Sequence, residues 1–191
     1  MGRWEPNARG RLAQAALELY AEQGYERTTV GEITARAGLT ERTFYRHYAD
    51  KREVLFFGTE MAKELLARSV ADAPAEASAM DVVGAAVEAL AARLQENSEQ
   101  VRLRDAIVSA NAELRERELI KLAGLADAMT DALRERGTPE PAARLAAETG
   151  IALFKVAFAR WIDGPDQSAL PDVLRASTQE LWNVLAERTP T

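Results

Sequence analysis

Apolar residues recur along this chain at intervals of three and four, and rarely at intervals of two. In "RLAQAALELYAEQG", Leu12, Ala15, Ala16, Leu19 and Tyr20 share one face of a 3.6-residue repeat, and Gly24 stands where such a helix would stop. A short second helix is expected over "TTVGEITARAG". Thr29 and Glu32 have capping-box spacing, Val30, Ile33 and Ala37 share a face, and Gly38 ends it. After a Gly-Leu turn, Thr40 caps a third helix, and Asp50 with Glu53 marks the start of a fourth over about 51–70. "ADAPAEASAMD" interrupts the pattern. Further helices are expected near 81–96, 99–109, 111–136, 139–163 and 170–188, with Gly137 as a stop and Pro139 at a tolerated early position. The expected fold class is therefore all-α. A three-helix helix-turn-helix domain over 1–50 precedes a helical bundle over 51–191, with about nine helices in total.

Composition narrows what such a fold can do. The chain has 191 residues and no cysteine, so disulfides, thiolate metal sites and a cysteine nucleophile are excluded. No apolar run approaches the roughly 20 residues needed to span a bilayer. The opening "MGRWEPNARGRL" lacks the apolar core of a signal peptide, and a cytoplasmic protein without cofactor or metal is expected. The net charge of −6 argues against a nucleic-acid partner until its distribution is considered. Residues 1–52 carry nine Lys or Arg against seven Asp or Glu, and residues 27–52 carry six against three, so the acidity lies in the remainder. Local field governs approach to a polyanion more than total charge does.

The basic segment has a definite pattern. The third helix is barely two turns long, so only one face can be buried. Phe44 and Tyr48, four apart, supply that face together with Leu39 from the turn. Arg42, Tyr45 and Arg46 then lie on the opposite side, beside Glu41, Thr43 and His47. Such a face is wrong for a core and suits a major groove, whose width admits one helix. Arg42, near the helix N-terminus, is placed for a bidentate pair with guanine O6 and N7, worth ~1–3 kcal/mol of discrimination. Glu41 fits either cytosine N4 or the helix dipole. Lys51, in the expected first turn of helix four, opposes the dipole unless a phosphate lies between.

These residues carry a resemblance. "AALELYAEQGYERTTVGEITARAGLTERTFYRHYADKREVL" resembles the TetR family of bacterial transcriptional repressors in its order of helix, G-Y, T-T-V, A-G, T-x-x-T-x-Y and closing lysine, over about residues 8–60. The resemblance implies that Thr29, Glu41, Arg42, Tyr45, His47 and Lys51 touch DNA; with Thr40, Thr43 and Arg46 they form the candidate DNA-binding set. Thr34 stands where the pattern usually has alanine, and Gly31 where some members place a base-reading side chain. Arg9 and Arg11 crowd a helix N-terminus as phosphate contacts or as solvated residues. Arg36 reads as a solvated arginine or an ion pair. Arg3 and Trp4 form a minor-groove arm or a frayed tail.

A single helix-turn-helix buries little DNA surface, so such modules pair. The resemblance implies a homodimer through the last two helices. Leu145, Thr149, Ala152 and Val156, with Leu174, Ser177, Leu181 and Leu185, are the candidate interface; the alternative is that these helices complete the core of a monomer. A second, more aromatic stripe of Ile151, Phe154, Phe158 and Trp161 faces inward, either as plain core or as the wall of a ligand pocket. With Met61, Leu65, Val87, Leu90, Ile107 and Leu122, and polar anchors Arg102, Arg104 and Asn111, it defines the candidate site for a small apolar or amphipathic inducer. The leading expectation is a ligand-responsive DNA-binding repressor on a pseudo-palindromic operator. A helical enzyme lacks support, with one histidine, no H-E-x-x-H, no G-x-S-x-G and no Gly-rich phosphate loop. An interaction bundle that has lost DNA binding would show an eroded basic face, and here Arg42, Tyr45, Arg46 and Lys51 are all present.

Overall fold

The computed structural model describes residues 7–164 and 168–187. Arg3 and Trp4 lie outside them. The described residues form nine α-helices and no strand: α1 Ala8–Gln23, α2 Val30–Ala37, α3 Glu41–His47, α4 Thr59–Ala71, α5 Ala79–Gln95, α6 Ser98–Ser109, α7 Ala112–Glu135, α8 Glu140–Asp163 and α9 Leu170–Ala186. They divide into two compact units. The first comprises 1–59 and 99–119, and the second 60–98 and 120–191. The first unit is thus larger than the expected 1–50, because 51–59, nearly all of α6 and the start of α7 belong to it.

Its core follows the sequence pattern. Leu12, Ala15, Ala16, Leu19 and Tyr20 of α1, Ile33 and Ala37 of α2, and Phe44 of α3 are buried together with Tyr25 and Tyr48. Ile107 and Val108 of α6 and Leu114 of α7 join the same cluster. The local signals act as their chemistry suggests. The Thr29 hydroxyl accepts from Glu32 N–H while the Glu32 carboxylate accepts from Thr29 N–H at 2.8 Å. Gly38 takes φ 64, a left-handed conformation that lets α2 stop and α3 begin three residues later. Thr34 is buried, and its hydroxyl donates to the Gly31 carbonyl at 3.0 Å, so the polar side chain is satisfied inside the helix.

One element differs from expectation. Helix α4 starts at Thr59, and residues Glu53–Phe56 form a short 3-10 turn. The reason is local. Asp50 Oδ1 accepts from Arg52 N–H at 2.8 Å and Glu53 N–H at 3.2 Å, closing a tight turn, while Val54, Leu55 and Phe56 are all drawn into the core.

The second unit packs α5, α8 and α9 against one another. Alanines and Gly150 let α8 approach α5 closely: a Cβ at Gly150 would collide with the buried Val83 side chain. Trp161 is wholly enclosed and donates its indole N–H to the Ser168 carbonyl at 3.0 Å. Ala169 has no capping side chain, so Gln95 of α5 accepts from Leu170 N–H at 2.8 Å and serves α9 instead.

Candidate nucleic-acid interface

The short α3 is held on both sides. At its start, the Thr40 hydroxyl accepts from Thr43 N–H at 3.2 Å, and the two threonine hydroxyls are 3.1 Å apart. At its end, Tyr48 is buried and donates its hydroxyl to the Arg9 carbonyl at 2.9 Å. Phe44 is fully buried between them and meets the Tyr48 ring at 5.5 Å. The opposite face is presented outward. Glu41, Arg42, Tyr45 and Arg46 are exposed, Tyr45 to 56%. The division of α3 into an anchored aromatic face and an outward basic one is as the sequence predicts.

The nine expected DNA-facing residues separate by what their side chains already do. Arg42, Tyr45 and Arg46 project from α3. Glu41 lies over the start of α2, its carboxylate 3.1 Å from where a Cβ on Gly31 would sit. A side chain at 31 would displace it, which ties the glycine at 31 to the acid at 41. Thr29 spends its hydroxyl within the capping box, donating to Glu32 Oε2 at 2.8 Å. His47 is half-buried, and its Nε2 is enclosed without a hydrogen-bond partner among the described residues. Burial first, then the guanidiniums of Arg46 and Arg9, holds its pKa below the ordinary 6.5, so the imidazole is neutral at pH 7.

Lys51 is the exception. It lies before α4, not in its first turn, so the expected conflict with a helix dipole is absent. Its ammonium donates to the carbonyls of Tyr25 at 2.9 Å, Glu26 at 3.2 Å and Thr28 at 3.1 Å, and stands 4.4 Å from the Tyr25 ring centre. All three of its N–H donors are engaged. In the chain by itself the ammonium is thus held by the loop between α1 and α2.

Neighbouring arginines, though exposed, also have partners within the chain. Arg11 donates to the Ala37 carbonyl at 2.5 Å and caps the end of α2. Arg36 pairs with Glu22 through both terminal nitrogens, at 2.9 and 2.7 Å. Arg9 stands 5.7 Å from the Tyr48 ring. A further set surrounds the 3-10 turn. Arg52 pairs with Asp50 and Glu113, Arg117 donates to Glu53 at 2.5 Å, and Arg104 donates to the Leu55 carbonyl at 3.1 Å and to Glu118 at 2.6 Å. Arg104, expected beside a ligand pocket, instead serves the first unit. These partners are separated by up to 64 residues, and no local pattern could have disclosed them.

The expected pocket residues are drawn from both units. Arg102, Ile107 and Asn111 belong to the first unit, and Met61, Leu65, Val87, Leu90, Leu122, Phe154, Phe158 and Trp161 to the second. Met61 is 53% exposed, whereas Val87, Leu90, Phe154 and Trp161 are buried. The rings of Phe154, Phe158 and Trp161 stack in sequence at 5.8 and 5.7 Å. Two surface hollows of about 620 and 210 Å³ lie elsewhere in the second unit, the smaller one beside Leu174, Arg175 and Trp182. None of the expected pocket residues lines either.

The expected interface residues divide too. Leu145, Ala152, Val156 and Leu185 are exposed, and Thr149 and Leu181 are half-buried. Leu174 and Ser177 are buried within the chain and are corrected to core: the first half of α9 is covered by α5 and α8, and Arg160 donates to the Ser177 hydroxyl at 3.3 Å. Trp182 and Val184, exposed to 45% and 59%, were not among the expected residues. Among the described residues no cluster of His, Cys, Asp or Glu could hold a metal, and no helix is long and apolar enough to cross a membrane.

Comparison with known proteins agrees with this geometry. Residues 12–56 match the family model for bacterial regulatory proteins of the tetR family. The HTH-type transcriptional regulator TcmR of Streptomyces glaucescens is 33% identical over 88 residues, a match spanning 46% of this chain and 39% of that protein. The whole fold is similar to that of FadR from Bacillus subtilis, solved with stearoyl-CoA, at TM-score 0.62 and 19% identity, covering 89% of this chain and 95% of that one. It is also similar to SmeT of Stenotrophomonas maltophilia, solved with triclosan, at TM-score 0.63 and 23% identity, covering 91% and 90%. The segment that matches the tetR-family model coincides with most of α1, with α2 and α3, and with the 3-10 turn.

Proposed function

We propose that the chain is a DNA-binding transcriptional regulator of the repressor type, acting as a homodimer on a pseudo-palindromic operator. The observation that carries this reading is the outward Arg42–Tyr45–Arg46 face on a helix whose other face is locked by Phe44 and Tyr48. Arg42 reads a guanine edge, Tyr45 and Arg46 meet base edges or phosphate oxygens, and His47 stands close to the backbone. Two such helices, paired through α8 and α9, enter successive major grooves about 34–36 Å apart.

A small apolar or amphipathic ligand would act by binding the DNA-free conformation more tightly than the DNA-bound one, since equal affinity shifts nothing. Support for ligand control comes from the shared fold of FadR and SmeT, each solved with such a molecule. Selecting duplexes from random DNA tests the central claim. An enriched inverted repeat is expected, and Arg42→Ala should lose about 1–3 kcal/mol of affinity and relax one position per half-site. Equal retention of every duplex would overturn it.

A further inference from the structure

We propose that Gly31 and Glu41 act as one specificity determinant: the glycine leaves a notch in α2 that seats the Glu41 carboxylate, and the carboxylate selects cytosine at one position of each half-site. The inference rests on the functional reading above and deepens it. Glu41 opens α3 and is exposed beside Arg42, and among the described residues its carboxylate has no hydrogen-bond or ion-pair partner. Other acids of the first unit are engaged: Glu22 pairs with Arg36, Glu32 closes the capping box and Asp50 holds Arg52. The Glu41 carboxylate nonetheless has a definite place. It lies back over α2, 3.1 Å from where a Cβ on residue 31 would sit, and the Thr29 hydroxyl stands 3.9 Å from the same point. The backbone does not require a glycine there, since the left-handed glycines are Gly24, Gly38 and Gly137. Glycine within a helix is also less favourable than alanine. What Gly31 supplies is room for the side chain of Glu41.

The chemistry of a carboxylate then restricts what it can meet. An ionised carboxylate only accepts hydrogen bonds, so acceptors on a base edge repel it. In the major groove guanine shows N7 and O6, thymine shows O4, and adenine shows N7 beside its amino group. Cytosine alone offers an amino group with no acceptor of its own alongside. Phosphates repel the carboxylate on every duplex, and only a correctly placed cytosine compensates. Glu41 thus acts by rejecting other sequences, while Arg42 draws the chain to guanine. Gly31 touches no base and is a positioning residue.

The test selects duplexes from random DNA with wild type, Glu41→Gln, Gly31→Val and the double variant. Wild type is expected to enrich cytosine at one position of each half-site. Glu41→Gln should lower that preference about fivefold or more and shift it toward adenine, whose N6 and N7 an amide meets together. It should also bind random duplex about two- to threefold more tightly, a gain that no folding defect produces. Gly31→Val, which fills the notch, should lower the same cytosine preference about fivefold, and by less than about twofold once Glu41→Gln is present. Should the valine variant fail to fold, Gly31→Ala gives a smaller change of the same sign. An unaltered cytosine preference in Glu41→Gln, with only the melting temperature lowered, would mark an acid that serves the helix dipole and would overturn the proposal. Equal effects of Gly31→Val with and without Glu41→Gln would overturn it too, by removing the coupling. A wild-type chain that enriches no repeat would overturn the functional reading itself, so the two failures are read separately.

Discussion

Tyr45 and Phe44 are adjacent aromatic residues with opposite fates, and their difference carries the candidate site. Phe44 has no exposed surface and touches Tyr45 and Tyr48, while Tyr45 keeps more than half of its own. Phe44→Ala should cost about 3–5 kcal/mol in denaturant unfolding, and Tyr45→Ala should stay within about 0.5 kcal/mol. Equal losses would mean that the two faces of α3 have been exchanged. This division was legible because a four-residue spacing on a two-turn helix admits only one buried stripe. The intrachain partners of Lys51 were not, because they are backbone carbonyls, which carry no sequence signal. His47 supplies a prediction of its own. Burial and the Arg46 and Arg9 guanidiniums depress its pKa in the free chain, so as pH falls below 6.5 the unfolded chain binds a proton before the folded one and stability declines. If His47 lies beside the DNA backbone, as proposed, the phosphates would offset those guanidiniums and raise the pKa again. The complex then takes up a proton, and operator affinity should climb several-fold from about pH 8 to about pH 6 at constant ionic strength. His47→Gln should abolish that climb; parallel profiles in the two proteins would show that the imidazole is remote from the phosphates.

Helix boundaries were legible wherever a cap and a stripe agreed, as at Thr29, Gly38, Thr40 and Gly137. They failed at the start of α4, where Asp50 caps a 3-10 turn whose three apolar residues all point inward, a pattern that helical periodicity does not separate from a first helical turn. Packing between elements was less visible still. Gly150 and Gly84 both sit inside helices and look alike in the sequence, yet a Cβ at Gly150 would strike Val83 and one at Gly84 would meet nothing within 4 Å. Gly150→Ala should therefore destabilise by about 1–3 kcal/mol through overpacking of α8 on α5. Gly84→Ala should stabilise by about 0.5–1 kcal/mol through helix propensity alone. Thermal unfolding of the two variants decides the matter, and effects of the same sign would remove the close approach from this account.

At the scale of the whole molecule, one face of the second unit is left without cover. Leu145 and Val156 of α8, and Trp182 and Leu185 of α9, are 68%, 54%, 45% and 47% exposed. Single exposed apolar residues are ordinary, but two large ones on each of two packed helices are more than scattered exposure usually leaves. The α8 half of this face was readable from its 3–4 spacing. On α9 the same spacing was misleading, because Leu174 and Ser177 continue the stripe by sequence but lie where α5 and α8 close over the helix, and only its second half emerges. A two-fold pair through this face would explain the emergence and supply the second helix-turn-helix that an inverted repeat requires. Val156→Glu places two like charges at such an interface without touching the chain's own core. The expected outcome is a monomer in sedimentation at micromolar concentration, with helicity unchanged and with operator affinity reduced at least tenfold while each half-site still binds weakly. A variant that still sediments as a dimer would move the pairing surface to another face of the second unit.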